Sequence, residues 1–170
     1  IASVEGAVVE CGVGWGRSLC MLMMIMEVLG QDRAFYGFDS FEGFPSPSSE
    51  DEPEKYGLKK GRHKTSEQAV REHLLRSQLP TDKVNSRLKF RKGFFEQTVR
   101  NYQDGPIALL HLDVDLYQSY QECLNQLYTH VQKGGIIALD EYHETGKYSG
   151  ARKAIDEFFA GKEPIVRARF

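Results

Sequence analysis

Two apolar runs in this chain close on acids. IALLHLDVDLY carries His111-x-Asp113-x-Asp115, and GGIIALDEYHE carries Asp140-Glu141. Strand side chains alternate, so His111, Asp113 and Asp115 share a face if that strand stays extended. If the two runs are neighbours in a parallel sheet, up to four carboxylates meet at its carboxyl edge. Left unneutralised they repel and raise one another's pKa. A bound divalent cation removes that conflict. Oxygen donors with no cysteine or paired histidine beside them favour hard Mg²⁺, Mn²⁺ or Ca²⁺ over zinc. Asp113, Asp140 and Glu141 are the expected metal ligands, while Asp115 is also placed to cap the helix that follows. His143, just beyond the acidic pair, is placed to meet a substrate. His111 reads as a core histidine or a hydrogen-bond partner, and His63, His73 and His130 as loop or helix-surface residues.

A second constellation lies near the start, in VVECGVGWGRS. A parallel strand, a glycine turn and a helix let the backbone approach a ligand closely, with the helix N-terminus facing it. Dinucleotide sites prefer G-x-G-x-x-G, whose third glycine allows tight packing of helix on strand. Here Gly12, Gly14 and Gly16 alternate, and Arg17 stands at the third-glycine position, which disfavours a pyrophosphate. Glu10 ahead of the turn would repel a pyrophosphate and attract an ammonium or sulfonium group. S-adenosylmethionine carries both. Asp39, a little over 20 residues beyond the glycines, stands where a carboxylate accepts hydrogen bonds from ribose hydroxyls.

The elements that must hold these residues read as alternating strands and helices. Strands are expected at 6–11, 34–38, 88–92, 107–113, 135–139 and 165–170, and helices at 18–29, 66–77, 94–101, 119–131 and 151–159. Thr65-x-x-Gln68 reads as a capping box opening the second helix. Such alternation gives right-handed crossovers, hence a mostly parallel sheet with helices on both faces. Residues 40–65, rich in Pro, Ser, Gly and charge, are too long for a simple connector. Following a strand that ends in Asp39, they read as a lid over the site, within one domain spanning 1–170. The basic run at 59–64 reads as a solvated face, with a substrate-touching role as the alternative.

Composition sets the outer bounds. The 170 residues, 41% hydrophobic and 27% charged, suit one ordinary domain. A net charge of −2 offers no general attraction to nucleic acid or an anionic membrane. The apolar run LCMLMMIM is far shorter than the roughly 20 residues of a membrane span and reads as a buried helix. Cys11, Cys20 and Cys123 are odd in number and widely spaced, which argues against disulfides and for a reducing cytoplasm. No code for a homo-oligomer is legible.

Together, VVECGVGWGRS, YGFDSFEGFP, FRKGFFEQTV, ALLHLDVDLYQSY, GGIIALDEY and GARKAIDEFF resemble the macrocin/mycinamicin/novobiocin-type family of S-adenosylmethionine-dependent O-methyltransferases. The likeness runs over nearly the whole chain, and DSFEGFP with the LDVDLY/DEY pair is more specific than the glycine turn. It implies an α/β, Rossmann-like class I methyltransferase fold, with the usual C-terminal strand pair cut to one strand. It implies that the glycine turn and Ser18 hold the methionine moiety and Asp39 the ribose. Ser40, Phe41, Gly93 and Phe94 would lie around the adenosine. It implies Mg²⁺ on Asp113 and the Asp140-Glu141 pair, binding neighbouring hydroxyls of a sugar or glycoside, one of which is methylated. Asp113 would touch cofactor, ion and substrate, and is the expected base. The best-known sugar enzymes of this type have two aspartates where this chain has Asp140-Glu141, and Arg and Gly where it has His111 and Val114. The rival readings are a metal-independent methyltransferase, a non-catalytic adenosylmethionine-binding domain and a nicotinamide oxidoreductase.

Overall fold

The computed structural model describes residues 1–143, 146–162 and 164–166. Five strands form one parallel sheet: β1 (Ala7–Cys11), β2 (Phe35–Asp39), β3 (Leu88–Lys92), β4 (Ile107–Leu112) and β5 (Val131–Leu139). Their order is β3-β2-β1-β4-β5. The chain steps outward from β1 in one direction, then returns to its other side with β4. The crevice at that reversal, above the carboxyl ends of β1 and β4, is where ligands of open parallel sheets bind.

Among the described residues, seven α-helices complete the fold: α1 (Arg17–Val28), α2 (Pro53–Tyr56), α3 (Glu67–Arg76), α4 (Thr81–Arg87), α5 (Phe95–Thr98), α6 (Tyr117–Leu127) and α7 (Ser149–Phe159). Alternation along the strands feeds two cores. Ala7, Val9 and Cys11 of β1 join Leu110 and Leu112 of β4 against Tyr120, Cys123 and Leu127 of α6 and Ala151 and Ile155 of α7. Val8 and Phe35 point the other way, to Leu19, Met23 and Met26 of α1, Val70 and Leu74 of α3 and Val84 of α4. Each fully buried Leu, Ile or Phe contributes about 1.5–3 kcal/mol by leaving water. The sheet is therefore clamped from both faces, which fixes the line of its carboxyl ends.

The structure corrects several expected boundaries. Five of the six expected strands are present among the described residues, and the sixth, expected at 165–170, falls largely outside them. Residues 164–166 carry no regular structure, and 167–170 lie outside the described residues. β5 begins at Val131, earlier than expected, with its register to β4 slipping between Ile107 and Leu109. Ser66, not Thr65, caps α3, accepting from Ala69 N at 3.1 Å. The expected helix at 94–101 shrinks to the single turn of α5, and α4 was not anticipated. The helix α1 is buried on one face only: Met21, Met24, Ile25 and Val28 stay exposed because it packs on the sheet from one side. No helix among the described residues is long and apolar enough to cross a membrane.

Candidate active site

Backbone hydrogen bonds continue past the strand ends and bring the candidate residues level. Gly12 N donates to Phe38 O, Asp113 N to Cys11 O, Asp140 N to Leu112 O and Gly93 N to Asp39 O, all at 2.9–3.0 Å. Above these ends opens a cavity of about 500 Å³, within the range of single small-molecule sites. Of the residues expected to hold a cofactor, Gly12, Gly14, Ser18, Asp39, Ser40, Gly93, Phe94 and Asp113 line it. Glu10, Gly16 and Phe41 do not.

The three glycines prove to have different duties. All lie in the left-handed region, at φ 84, 52 and 77. A Cβ on Gly12 would overlap the carbonyl oxygen of Asp113, so glycine here lets the β1 and β4 ends meet. A Cβ on Gly16 would press on Val70 of α3, so this one serves packing. Only at Gly14 is the space open, and Gly14 lines the cavity. Its N–H donates to Asp39 Oδ2 at 2.9 Å, while Phe41 N donates to Asp39 Oδ1 at 2.7 Å. Asp39 thus ties the glycine turn to the start of the insertion. Burial pushes its pKa up, against the pull of these backbone donors, and each oxygen keeps lone-pair capacity for a ligand hydroxyl.

Glu10 is fully buried between strands. Its register partner on β4 is His111, whose Nδ1 lies 2.8 Å from Glu10 Oε1. Burial works to lower the His111 pKa, but the hydrogen bond and charge of Glu10, aided by Asp113 and Asp140, raise it overall. Glu10 therefore serves a histidine inside the sheet, and its other oxygen, Oε2, has no protein partner.

The acidic edge is tighter than strand alternation suggested, and its membership differs. Carboxylate oxygens of Asp113, Asp115 and Glu141 lie within 4.8 Å of one another. Asp140 is exposed and stands outside that group, although its charge is the largest neighbouring influence raising Asp113. The strand ends at Leu112, and Asp115 turns back into the cluster with φ 60. Asp115 does not cap α6. That helix N-terminus is capped from the insertion, where Asp51 Oδ1 accepts from Tyr117 N at 2.7 Å.

Burial, then the charges of Asp140 and Asp115, push Asp113 up to about 6. Glu141, 1% exposed, is pushed up to about 9 by burial and by Asp115, Asp113 and Asp140, against a hydrogen bond with Tyr120. Tyr120 Oη is also 2.9 Å from Leu112 O. The same hydroxyl donates to Glu141 Oε2, which is the hydrogen bond that works against the rise. Asp115 is raised chiefly by burial, and is partly relieved by a hydrogen bond from Tyr148.

The opposite wall comes from residues that sequence reasoning passed over. Phe44, Pro45 and His63 of the insertion, Ser119 of α6 and Tyr148 before α7 all line the cavity. The insertion was legible as a lid from its length and place, but no local signal marked His63 within the basic run. His143, expected to meet substrate, is exposed, stacks edge-on against Tyr142 and is not in the lining.

Residues 1–165 match the family model described as Macrocin-O-methyltransferase (TylF). The chain is 28% identical over 160 residues to the demethyldecarbamoylnovobiocin O-methyltransferase of Streptomyces niveus, covering 93% of this chain and 60% of that protein. It is 28% identical over 144 residues to the 8-demethyl-8-(2,3-dimethoxy-alpha-L-rhamnosyl)-tetracenomycin-C 4'-O-methyltransferase of Streptomyces olivaceus, covering 82% and 54%. The structure of the O-methyltransferase NovP superposes with a TM-score of 0.81 at 27% identity, over 93% of this chain and 64% of that one. The chain thus spans less than two thirds of the length of each of these proteins.

Proposed function

Because the chain belongs to the macrocin-O-methyltransferase (TylF) family, we propose that it transfers the methyl group of S-adenosylmethionine to a hydroxyl of a sugar or glycosylated small molecule, assisted by Mg²⁺. The observation that carries this reading is a single cavity with an open glycine turn and Asp39 on one side and Asp113 and Asp115 on the other. A methyl donor on the first wall would present its sulfonium to an acceptor on the second. One relative is named as an O-methyltransferase of demethyldecarbamoylnovobiocin, and another as a 4'-O-methyltransferase of a rhamnosyl tetracenomycin; the second name supports a glycoside acceptor.

The donor set suits a hard cation. It is made of oxygens alone, and carboxyl groups pushed up to about 6 and about 9 are what mutual repulsion and burial produce without a counter-ion. Asp113 and Glu141 would hold the ion, with Asp115 completing the close group and Asp140 at its exposed flank. When bound, Mg²⁺ would lower the pKa of a coordinated hydroxyl and orient it. Asp113, which lines the cavity and belongs to the cluster, would take the hydroxyl proton as base. Asp39 and the Gly14 turn orient the donor. Since the sulfonium loses its charge on transfer, strong anionic contacts to it would hinder the step. Holding oxygen and methyl in line at roughly 3 Å is therefore the main contribution. His143 has no part in this scheme.

The test is methyl-labelled S-adenosylmethionine with a panel of rhamnosides and other deoxyhexose glycosides, run with Mg²⁺ or with EDTA. Labelled product that needs the metal is expected. Asp113→Asn should cut turnover by about 10²–10⁴-fold, the range of a lost general base, while calorimetry still detects adenosylmethionine binding. Activity unchanged by EDTA removes the ion from the scheme. Adenosylmethionine binding with no product across the panel favours a binding domain instead.

A further inference from the structure

On the insertion side of the cavity the lining is Ser40, Gly43, Phe44, Pro45 and His63. Ser40 is committed locally, its hydroxyl donating to Gly43 O and accepting from Glu42 N, both at 3.0 Å. Gly43, Phe44 and Pro45 offer no polar side chain. His63 is thus the residue through which this wall can hydrogen-bond a ligand by a side chain.

The insertion holds His63 in place by several separate contacts. Its two limbs are stitched by Phe44 N to Arg62 O at 2.8 Å and Gly61 N to Phe44 O at 2.9 Å. The Phe44 and His63 rings meet edge-on at 5.1 Å. Arg62 donates from Nη1 to Gly57 O and from Nε to His63 Nε2, each at 3.2 Å. Arginine has no acceptor, so Nε2 accepts this bond, and the neutral imidazole then carries its proton on Nδ1 as a donor. His63 also sits at φ 63, a left-handed conformation disfavoured for residues with a Cβ. Across the gap stands Asp115, whose carboxyl is steadied by Tyr148.

We propose that His63 is the insertion's acceptor-contacting residue, donating from Nδ1 to an oxygen of the sugar beside the hydroxyl that is methylated. This rests on the reading of the cavity as an O-methyltransferase site and names the side chain by which its insertion selects the acceptor. Phe44 packs against the imidazole, and Asp113 and Asp115 line the same cavity from the sheet edge. A sugar held between the walls has one oxygen fixed by His63 and another presented to the carboxylates. That fixes which hydroxyl meets the methyl group.

The experiment compares wild type, His63→Phe and His63→Gln on whichever glycoside of the panel the wild type methylates. Phenylalanine keeps the edge-on packing and removes the donor, while glutamine restores one. His63→Phe should raise the acceptor KM about five- to tenfold, the size of one neutral hydrogen bond. It should also loosen the choice among ring hydroxyls, read as a mixture of methylated positions. His63→Gln should recover most of the loss, and adenosylmethionine affinity and melting temperature should stay at wild-type values in both. An unchanged KM and a single product from His63→Phe overturn the inference alone. So does a parallel fall of adenosylmethionine affinity and melting temperature in both variants, which would mark His63 as purely structural. A wild type that methylates nothing on the panel overturns the functional reading and this inference with it.

Discussion

Gly12, Gly14 and Gly16 share a residue type and a left-handed backbone, yet their surroundings give opposite expectations for substitution. At Gly14 a side chain meets open space, so Gly14→Val, though strained at φ 52, should still fold and lose adenosylmethionine. Calorimetry should find binding weakened at least tenfold while circular dichroism stays native; retained binding would mean the cofactor does not pass over this turn. At Gly12 the same change collides with the Asp113 carbonyl and should damage the fold itself. The sequence could not separate these cases, because the neighbour that decides Gly12 lies about a hundred positions away. Asp113 was legible for the opposite reason: its place at the end of an apolar strand suffices. Asp115 was not, since alternation predicts its direction only while the backbone is extended, and φ 60 breaks that rule. Glu10 was legible as an acid placed just before the turn, but neither its burial nor its His111 partner was.

Among elements, the parallel strands were the easiest to read, since strands buried on both faces appear as apolar runs. The insertion was legible only as an interruption, and its anchoring is wholly tertiary. Asp51, buried on the 3₁₀ turn Ser49–Asp51, accepts from Ser48 N and Ser48 Oγ at 2.8 Å and from Tyr117 N. The flanking acids reach α7: Ser149 Oγ donates to Glu52 at 3.0 Å, and Lys153 pairs with Glu50. A Cβ on Gly150 would overlap the Asp51 carboxylate. The middle of the insertion is thus latched to the N-terminal ends of α6 and α7, and any opening must hinge in the limbs on either side. Asp51→Ala strands the cap of α6 and the Ser48 N–H together. It should cost about 2–3 kcal/mol, a drop of roughly 5–10 °C in Tm for a chain of this size. Thermal melts check this, with Glu50→Gln as the control. The Glu50 ion pair is exposed, so its loss should move Tm little, and an equal drop in both variants would show that Asp51 is no latch.

At the scale of the whole molecule, the acidic edge couples stability to pH and to metal. Without an ion, Asp113 is pushed up to about 6 and Glu141 up to about 9, both above the carboxyl values of an unfolded chain. The folded state then holds protons that the unfolded state has released. Stability from these groups is greatest below about pH 4, where both states are protonated, and falls as pH rises toward 9. A cation bound only by the folded state opposes that loss. Its ligands must be deprotonated, so it binds better as pH rises. The increase in Tm caused by millimolar Mg²⁺ should therefore grow between pH 6 and 9, because the metal-free baseline is falling while affinity rises. Glu141→Gln keeps a hydrogen-bonding group beside Tyr120 but cannot ionise. At pH 8.5 without metal it should melt above wild type, and Mg²⁺ should shift it far less. If wild type and Glu141→Gln instead respond equally to Mg²⁺ at every pH, the ion binds elsewhere, and the raised carboxyls of this edge are a cost of burial that the fold tolerates without a counter-ion.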